Sequence, residues 1–340
     1  MSPLLTIVIP AYNAADYLLR ALESVQASDP RVEVLVIDDG STDDTAAVAE
    51  RFMAGCGGQV WLISKPNGGH GSAVNAGIRA ATGSYLKVLD ADDWFDVAAL
   101  VQVLDTLERL VTDGESVDLL VTNYVYDKVG KRRKTAINYR VALPRGRVVT
   151  WAETRRFGSH QFLQMHALTY RTELLRQVGL QLPEHTFYVD MLFAFIPLAA
   201  VQTIFYLDVN LYHYFIGRAD QSVNEKVMLK RIDQYARVNK LIIAQLAALP
   251  TGINPKLRVY LSHYATISCA VLSVLYLRAG TPADILKKQS IWSGMRDTNP
   301  ELYRQVRNSV LGHICNLPGK WGRYGTLAIY QVFRHVIGFN

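Results

Sequence analysis

A parallel, doubly wound α/β sheet followed by a helical C-terminal region is the fold class the sequence predicts. Three observations carry that expectation. Short β-branched runs alternate with amphipathic stretches through the first hundred residues, the pattern of strands and helices in a sheet covered on both faces. Polar, glycine-rich or acidic residues follow each of those runs, where open α/β sheets bind ligands. After about Asn224 the pattern turns helical, punctuated by Pro250, Gly252, Pro255, Gly280, Pro282, Pro300 and Pro318.

Thr6, Ile7, Val8 and Ile9 form a first strand. Residues 15–26 set Leu18, Leu22 and Val25 at helical spacing. A second strand at 33–37 leads to a helix at 43–51, with Ser41 or Thr42 as its N-cap. A third strand spans 60–64, a third helix 71–81 and a fourth strand 84–89. Residues 118–126 and 135–139 read as a hairpin around Val129-Gly130-Lys131-Arg132. The basic run Lys131-Arg132-Arg133-Lys134 is then a solvated turn, or alternatively a contact to a polar acceptor or lipid headgroup. Residues 151–157, 172–177 and 191–200 read as helices. The expected division is a first domain over 1–223, in halves 1–115 and 116–223, and a helical region over 224–340.

The chain has 340 residues, 50% hydrophobic and 19% charged, with a net charge of +6, a soluble globular composition. Its basic residues are scattered and no helix-turn-helix, zinc-finger or RNA-sheet signature occurs, so no nucleic-acid partner is expected. Cys56, Cys269 and Cys315 lack metal or disulfide spacing and fit a reducing cytoplasm. No basic n-region precedes Leu4, so no signal peptide is expected. Residues 260–277 approach spanning length. They also hold Ser262, His263, Thr266, Ser268 and Ser273, which favours a buried helix.

The fourth strand runs into Asp90-Ala91-Asp92-Asp93. Unpaired carboxylates at the end of a buried strand lose several kcal/mol or their ionisation. Such a cluster suits a hard divalent cation, which can in turn hold a phosphate. Asp93 is alternatively a helix cap. Asp39, before Gly40, is a turn residue or an acceptor for a nucleobase N–H, and Tyr12 stands where it can stack on a base. Asn67-Gly68-Gly69-His70-Gly71 opens a helix, so its backbone admits close approach of an anion, or it is a mobile turn. Lys65 is a candidate phosphate or sugar contact. Asp190, in an apolar run, is a helix cap or a general base. Residues 212–222 read as a loop with His213, Arg218, Gln221 and Ser222. There Arg218 suits a diphosphate, and His213 is a metal ligand or a structural histidine.

Four motifs together, Thr6 through Asn13, Val36 through Asp43, Asn67-Gly68-Gly69 with Asn75-Ala76-Gly77, and Leu89 through Asp93, closely resemble the family 2 glycosyltransferases. Tyr188-Val189-Asp190 resembles the family's base motif, usually Glu-Asp, with Val189 in place of Glu. Residues 217–222 resemble the closing loop of many bacterial members. The resemblance implies the GT-A fold, a nucleotide-binding half 1–115 and an acceptor half 116–223. It implies a nucleotide-diphosphate sugar donor, most often a UDP-sugar, and inverting transfer to a hydroxyl of a glycan or lipid-linked glycan in envelope polysaccharide assembly. Donor contacts would be Pro10, Ala11, Tyr12, Asn13, Asp39, Lys65, Gly68, Gly69, Asn75, Asp90, Ala91, Gln221 and Ser222. Asp92, with His213 as a further candidate, would hold Mn²⁺ or Mg²⁺. Arg218 would stabilise the leaving group and Asp190 would be the base. The acceptor would lie toward Ser159 through His166. The alternatives are a nucleotidyltransferase, whose early basic glycine-rich signature is replaced here by Ala11-Tyr12-Asn13-Ala14-Ala15, and a non-catalytic binding module. Lys320 through His335 mixes aromatics and bases. It docks on its own domain or lies on an anionic membrane, which would place the protein at the inner face of the plasma membrane.

Overall fold

The computed structural model describes residues 3–128, 130, 134–158, 161–217 and 224–337. It divides into two compact units, Met1–Ile216 and Gly217–Asn340. The first unit starts with β1 (Leu5–Ala11), α1 (Ala15–Glu23), β2 (Val32–Asp38), α2 (Thr45–Met53), β3 (Val60–Ser64), α3 (His70–Ala80) and β4 (Tyr85–Val88). It continues with β5 (Trp94–Phe95), α4 (Val97–Thr112), β6 (Leu119–Lys128), β7 (Thr135–Ile137), β8 (Val148–Val149), β9 (Leu168–Arg171), α5 (Thr172–Gln177), α6 (Asp190–Phe195) and β10 (Ile204–Ile216). One sheet runs β3-β2-β1-β4-β9-β6-β10-β5. The first four strands are parallel, β9 is antiparallel to both neighbours, and β6 and β10 are again parallel. The result is a mixed α/β fold on a mostly parallel sheet. Every residue of β1, β2 and β4 is buried, because helices cover both faces.

Several local expectations change. Neither Ser41 nor Thr42 caps α2. Asp43 accepts from the Thr45 N–H at 3.0 Å, and Ser41 Oγ accepts from Asn13 N at 3.0 Å. Asp96, not Asp93, caps α4, accepting from Ala99 N at 2.8 Å. Residues 151–153 form a single 3-10 turn, and the expected helix at 191–200 is α6 followed by a 3-10 turn at Pro197–Ala200. Residues 212–216 belong to β10, not to a loop. The pairing of β10 with β6 shifts register between Tyr206 and Tyr212. Such a bulge re-aims the following side chains, and beyond it Tyr212 and Tyr214 lie opposite Tyr124 and Tyr126.

Asp118 locks three strands at the edge of the sheet remote from the acidic turn. Its carboxylate accepts from Arg171 Nη2 at 2.8 Å, Gln202 N at 2.8 Å and Thr203 N at 3.2 Å. Burial works to raise its pKa, but Arg171 and the two amides outweigh it, and the pKa lies below the usual carboxylate range. A depressed folded pKa gives stability that is present above the unfolded value of about 3.9 and lost as pH falls through the folded value. Asp118→Ala, which leaves Arg171 and two amides unpartnered, should cost about 3 kcal/mol in urea unfolding near neutral pH. The gap from wild type should close below pH ~4.

The second unit holds α7 (Glu225–Lys230), α8 (Ile232–Ala247), α9 (Pro255–Ala279), α10 (Pro282–Thr298), α11 (Pro300–Arg307), α12 (Val310–Cys315) and α13 (Gly319–Ile337). Pro255, Pro282 and Pro300 open their helices, and Gly280 ends α9 with φ 76°, since proline tolerates a first turn and glycine a left-handed cap. Helix α9 is the one described helix long and apolar enough to cross a membrane, and 78% of its most apolar window is buried inside the chain. That matches a core helix.

Candidate active site

The site lies at the C-terminal ends of β1, β2, β3 and β4. Asp39, just past β2 and buried, gathers the glycine loop after β3. It accepts from Lys65 Nζ at 2.6 Å, Gly68 N at 3.0 Å and Gly69 N at 2.6 Å. Gly69 adopts φ +83° to open α3, and a Cβ on Gly71 would stand 2.8 Å from the Pro183 carbonyl. The first needs glycine for its backbone angle and the second for close approach. Tyr12 stands exposed at the end of β1, and Asn13, also exposed, has φ 47°.

Around the acidic turn, His70 Nε2 lies 2.7 Å from Asp90 Oδ1. Asp93 is fully buried and accepts from Tyr212 Oη at 2.6 Å and Phe215 N at 2.8 Å. Burial first, then the charges of Asp92 and Asp90, push Asp93 well above the usual carboxylate range. For Asp90 burial acts upward too, but His70 prevails and holds it low. Burial works against a charge on His70, and Asp90, Asp190 and Asp92 overcome it, raising its pKa. The half-buried Asp92 is steadied by its main chain, whose carbonyl accepts from Arg20 Nη2 at 2.7 Å. The Arg20 guanidinium lies over the Trp94 ring at 3.8 Å.

His166 sits behind the carboxylates, stacked on Tyr214 at 4.4 Å, with Nε2 3.9 Å from Asp90 Oδ2. Burial, reinforced by Lys87, lowers its pKa to about 4, so near neutral pH it is the uncharged imidazole that can bind a metal. Lys87, fully buried in β4, donates to the His166 carbonyl at 2.9 Å and the Leu168 carbonyl at 3.2 Å, and burial brings its own pKa to about 7. Asp90, Asp93 and His166 offer ligand atoms all within 4.8 Å of one another. Oxygen donors with one neutral imidazole fit Mn²⁺ or Mg²⁺.

Asp190 is the first residue of α6, inside the helix rather than at its N-cap. Burial first, and also Asp90, raise its pKa, while His70 opposes them. The segment leading to it is clipped to α3. Asn75 Nδ2 donates to the Leu182 carbonyl at 2.8 Å and its Oδ1 accepts from Leu182 N at 2.9 Å. Ser72 Oγ donates to Glu184 Oε1 at 2.9 Å and His185 N to the Gly68 carbonyl at 2.6 Å. The glycine loop and the Asp190 segment therefore form one connected piece.

Of the expected site residues, the structure gathers Pro10, Ala11, Tyr12, Asn13, Asp39, Lys65, Gly68, Gly69, Asp90, Ala91 and Asp92 on this rim. Asn75 is buried with both ends of its amide on Leu182, which positions the Asp190 segment. One expectation changes: His213 faces away from the carboxylates. Strand alternation puts it opposite Tyr212 and Tyr214, stacked on Trp94 at 5.2 Å with Nδ1 3.6 Å from Asp127. Arg218, Gln221, Ser222, Ser159, His160 and residues 131–133 lie outside the described residues. His70, Arg20 and Tyr212 went unassigned in the sequence, since their contacts depend on pairings across 20, 72 and 119–122 positions.

Three comparisons bear on this arrangement. The sequence profile described as "Glycosyl transferase family 2" matches residues 6–172. An uncharacterized glycosyltransferase of Mycoplasma pneumoniae is 30% identical over 224 residues, 64% of this chain and 70% of its own length. The chondroitin synthase of Escherichia coli is 35% identical over 138 residues, 40% of this chain, but the match spans only 20% of that larger protein. Among solved structures, S. aureus TarS 1-349 superposes with a TM-score of 0.68 at 19% identity, covering 98% of this chain and 92% of its own. Its complex with UDP-GlcNAc superposes with a TM-score of 0.53 at 18% identity, over 90% and 91% of the two chains. The fold is that of the GT-A enzymes, and the chain belongs to glycosyltransferase family 2.

Proposed function

We propose that this glycosyltransferase moves a sugar, hexosyl or N-acetylhexosaminyl, from a UDP-sugar to a hydroxyl of a glycan or lipid-linked glycan with inversion. The observation that carries the reading is the shared rim of Asp39, the acidic turn and Asp190. Asp39 and Tyr12 receive the base, with the Pro10, Ala11 and Asn13 backbone. Lys65, Gly68, Gly69 and Ala91 border the ribose and diphosphate. Asp90 and Asp92 would hold Mn²⁺ or Mg²⁺, with His166 and Asp93 adjacent, and a bound ion neutralises charge developing on the departing diphosphate. By the resemblance, Arg218 would add positive charge that stabilises the leaving diphosphate, with Gln221 and Ser222 as further donor contacts. Asp190 removes the acceptor's proton as its oxygen attacks the anomeric carbon from the face opposite the leaving group, so one bond forms as the other breaks. TarS, whose fold this chain shares, is known in complex with UDP-GlcNAc, which supports a UDP-linked donor. A cytoplasmic location fits the supply of such donors.

A thermal-shift panel of nucleotide sugars with Mn²⁺ tests the reading. UDP-sugars should raise the melting temperature more than GDP- or CMP-sugars. A panel in which none binds or turns over refutes it. Binding without turnover marks a non-catalytic module, and synthesis of the sugar nucleotide from a nucleoside triphosphate and a sugar 1-phosphate, with release of pyrophosphate, marks a nucleotidyltransferase.

A further inference from the structure

The start of α13 presents an aromatic and basic surface that the transfer chemistry does not use. At 100° per residue, Lys320, Trp321 and Tyr324 share one side of the helix, with Arg323 at its flank. The opposite side is packed: a Cβ on Gly322 would stand 2.5 Å from the Leu317 backbone, and buried Thr326 donates to the Ile314 carbonyl at 2.6 Å. Trp321 is 87% exposed and Tyr324 66%, their rings 6.3 Å apart.

The charge along this end of the sequence has one sign. No Asp or Glu follows Glu301, whereas Arg304, Arg307, Lys320, Arg323 and Arg334 do. Among the described residues, Arg307, Lys320 and Arg323 form no ion pair. Arg323 and Arg307 are close enough to Lys288 to help lower its pKa, after the larger effect of burial. Unpaired cations beside exposed Trp and Tyr match the region where lipid headgroups meet acyl chains. There amphipathic rings are favoured and each cation is attracted by an anionic leaflet.

We propose that this face of α13 docks on an anionic bilayer surface, with Trp321 and Tyr324 at headgroup depth and Lys320 and Arg323 on lipid phosphates. The proposal deepens the lipid-linked-acceptor reading above. Its test uses neither donor nor acceptor, so its failure leaves the transferase assignment standing.

The experiment is co-sedimentation of the full chain with vesicles of phosphatidylcholine alone or mixed with phosphatidylglycerol. Wild type should pellet with the mixed vesicles, not with the neutral ones, and be released by high salt. Lys320→Gln with Arg323→Gln should weaken partitioning by roughly an order of magnitude or more. Trp321→Ala with Tyr324→Ala should abolish it, while both pairs keep the wild-type circular dichroism spectrum. Three results would overturn the proposal: no wild-type binding to either vesicle, unchanged binding by both double variants, or a concentration-dependent dimer that both double variants abolish.

Discussion

Asp190→Asn should lower sugar transfer by about 10²–10⁴-fold, the usual contribution of a positioned general base, while donor affinity stays close to wild type. Asn keeps the size of Asp and its place at the start of α6, so the clipped segment from Leu182 to Asp190 has no reason to move. What it removes is the basicity of the carboxylate that takes the acceptor's proton, since an amide oxygen accepts a hydrogen bond but is too weak a base to keep the proton. Burial and the charge of Asp90 raise the Asp190 pKa. The carboxylate form is the active one, so kcat/KM should rise with pH through a value above that of an ordinary aspartate, and the variant's residual rate should lose that limb. Donor binding read by calorimetry, beside transfer read by released nucleoside diphosphate, separates the two effects. Full transfer by Asp190→Asn would remove it from the mechanism.

The parts of the fold visible in the sequence are those where one physical demand dominates. Strands β1, β2 and β4 read as apolar runs because both their faces are covered, and Asp39 and Asp90 stood out because carboxylates rarely follow such runs. Strand β10 did not read as a strand. Asp208, Asn210 and His213 interrupt its apolar residues, and its bulge toward β6 breaks the period-two pattern. The same strand explains His213. Read as part of a loop, it had no assigned face; placed in β10, it turns toward Trp94. Asn75 shows the converse limit. It belongs to a motif that resembles a donor-binding family, yet its contacts are the Leu182 main chain. Spacing marks that a residue is needed without saying what it touches. His70 had no signal of its own, because its meaning arises only when α3 brings it to Asp90.

Asp92→Ala should erase the Mn²⁺-dependent stabilisation by a nucleotide sugar without lowering the stability of the ligand-free protein. At a hundredfold excess over Kd, a ligand stabilises by about 2.7 kcal/mol, which for a domain of ~200 residues corresponds to roughly 5–10 °C in melting temperature. The argument for Asp92 is one of place. Asp93 is fully buried, and Tyr212 Oη and Phe215 N already occupy one position on each of its oxygens. Asp92 is half-buried on the rim beside it. Without a cation these carboxylates repel one another, which is part of why the Asp93 pKa is raised. Removing Asp92 relieves that repulsion and also removes an attraction to His70, so the two effects offset and the ligand-free variant should melt close to the wild-type temperature. A lost Mn²⁺ response then cannot be put down to a damaged fold. Asp92→Asn should give the same loss, since it removes the charge and keeps the volume. A variant that retained the full Mn²⁺-dependent shift would move the ion to Asp90, Asp93 and His166, and His166→Ala would then be the change that abolishes it.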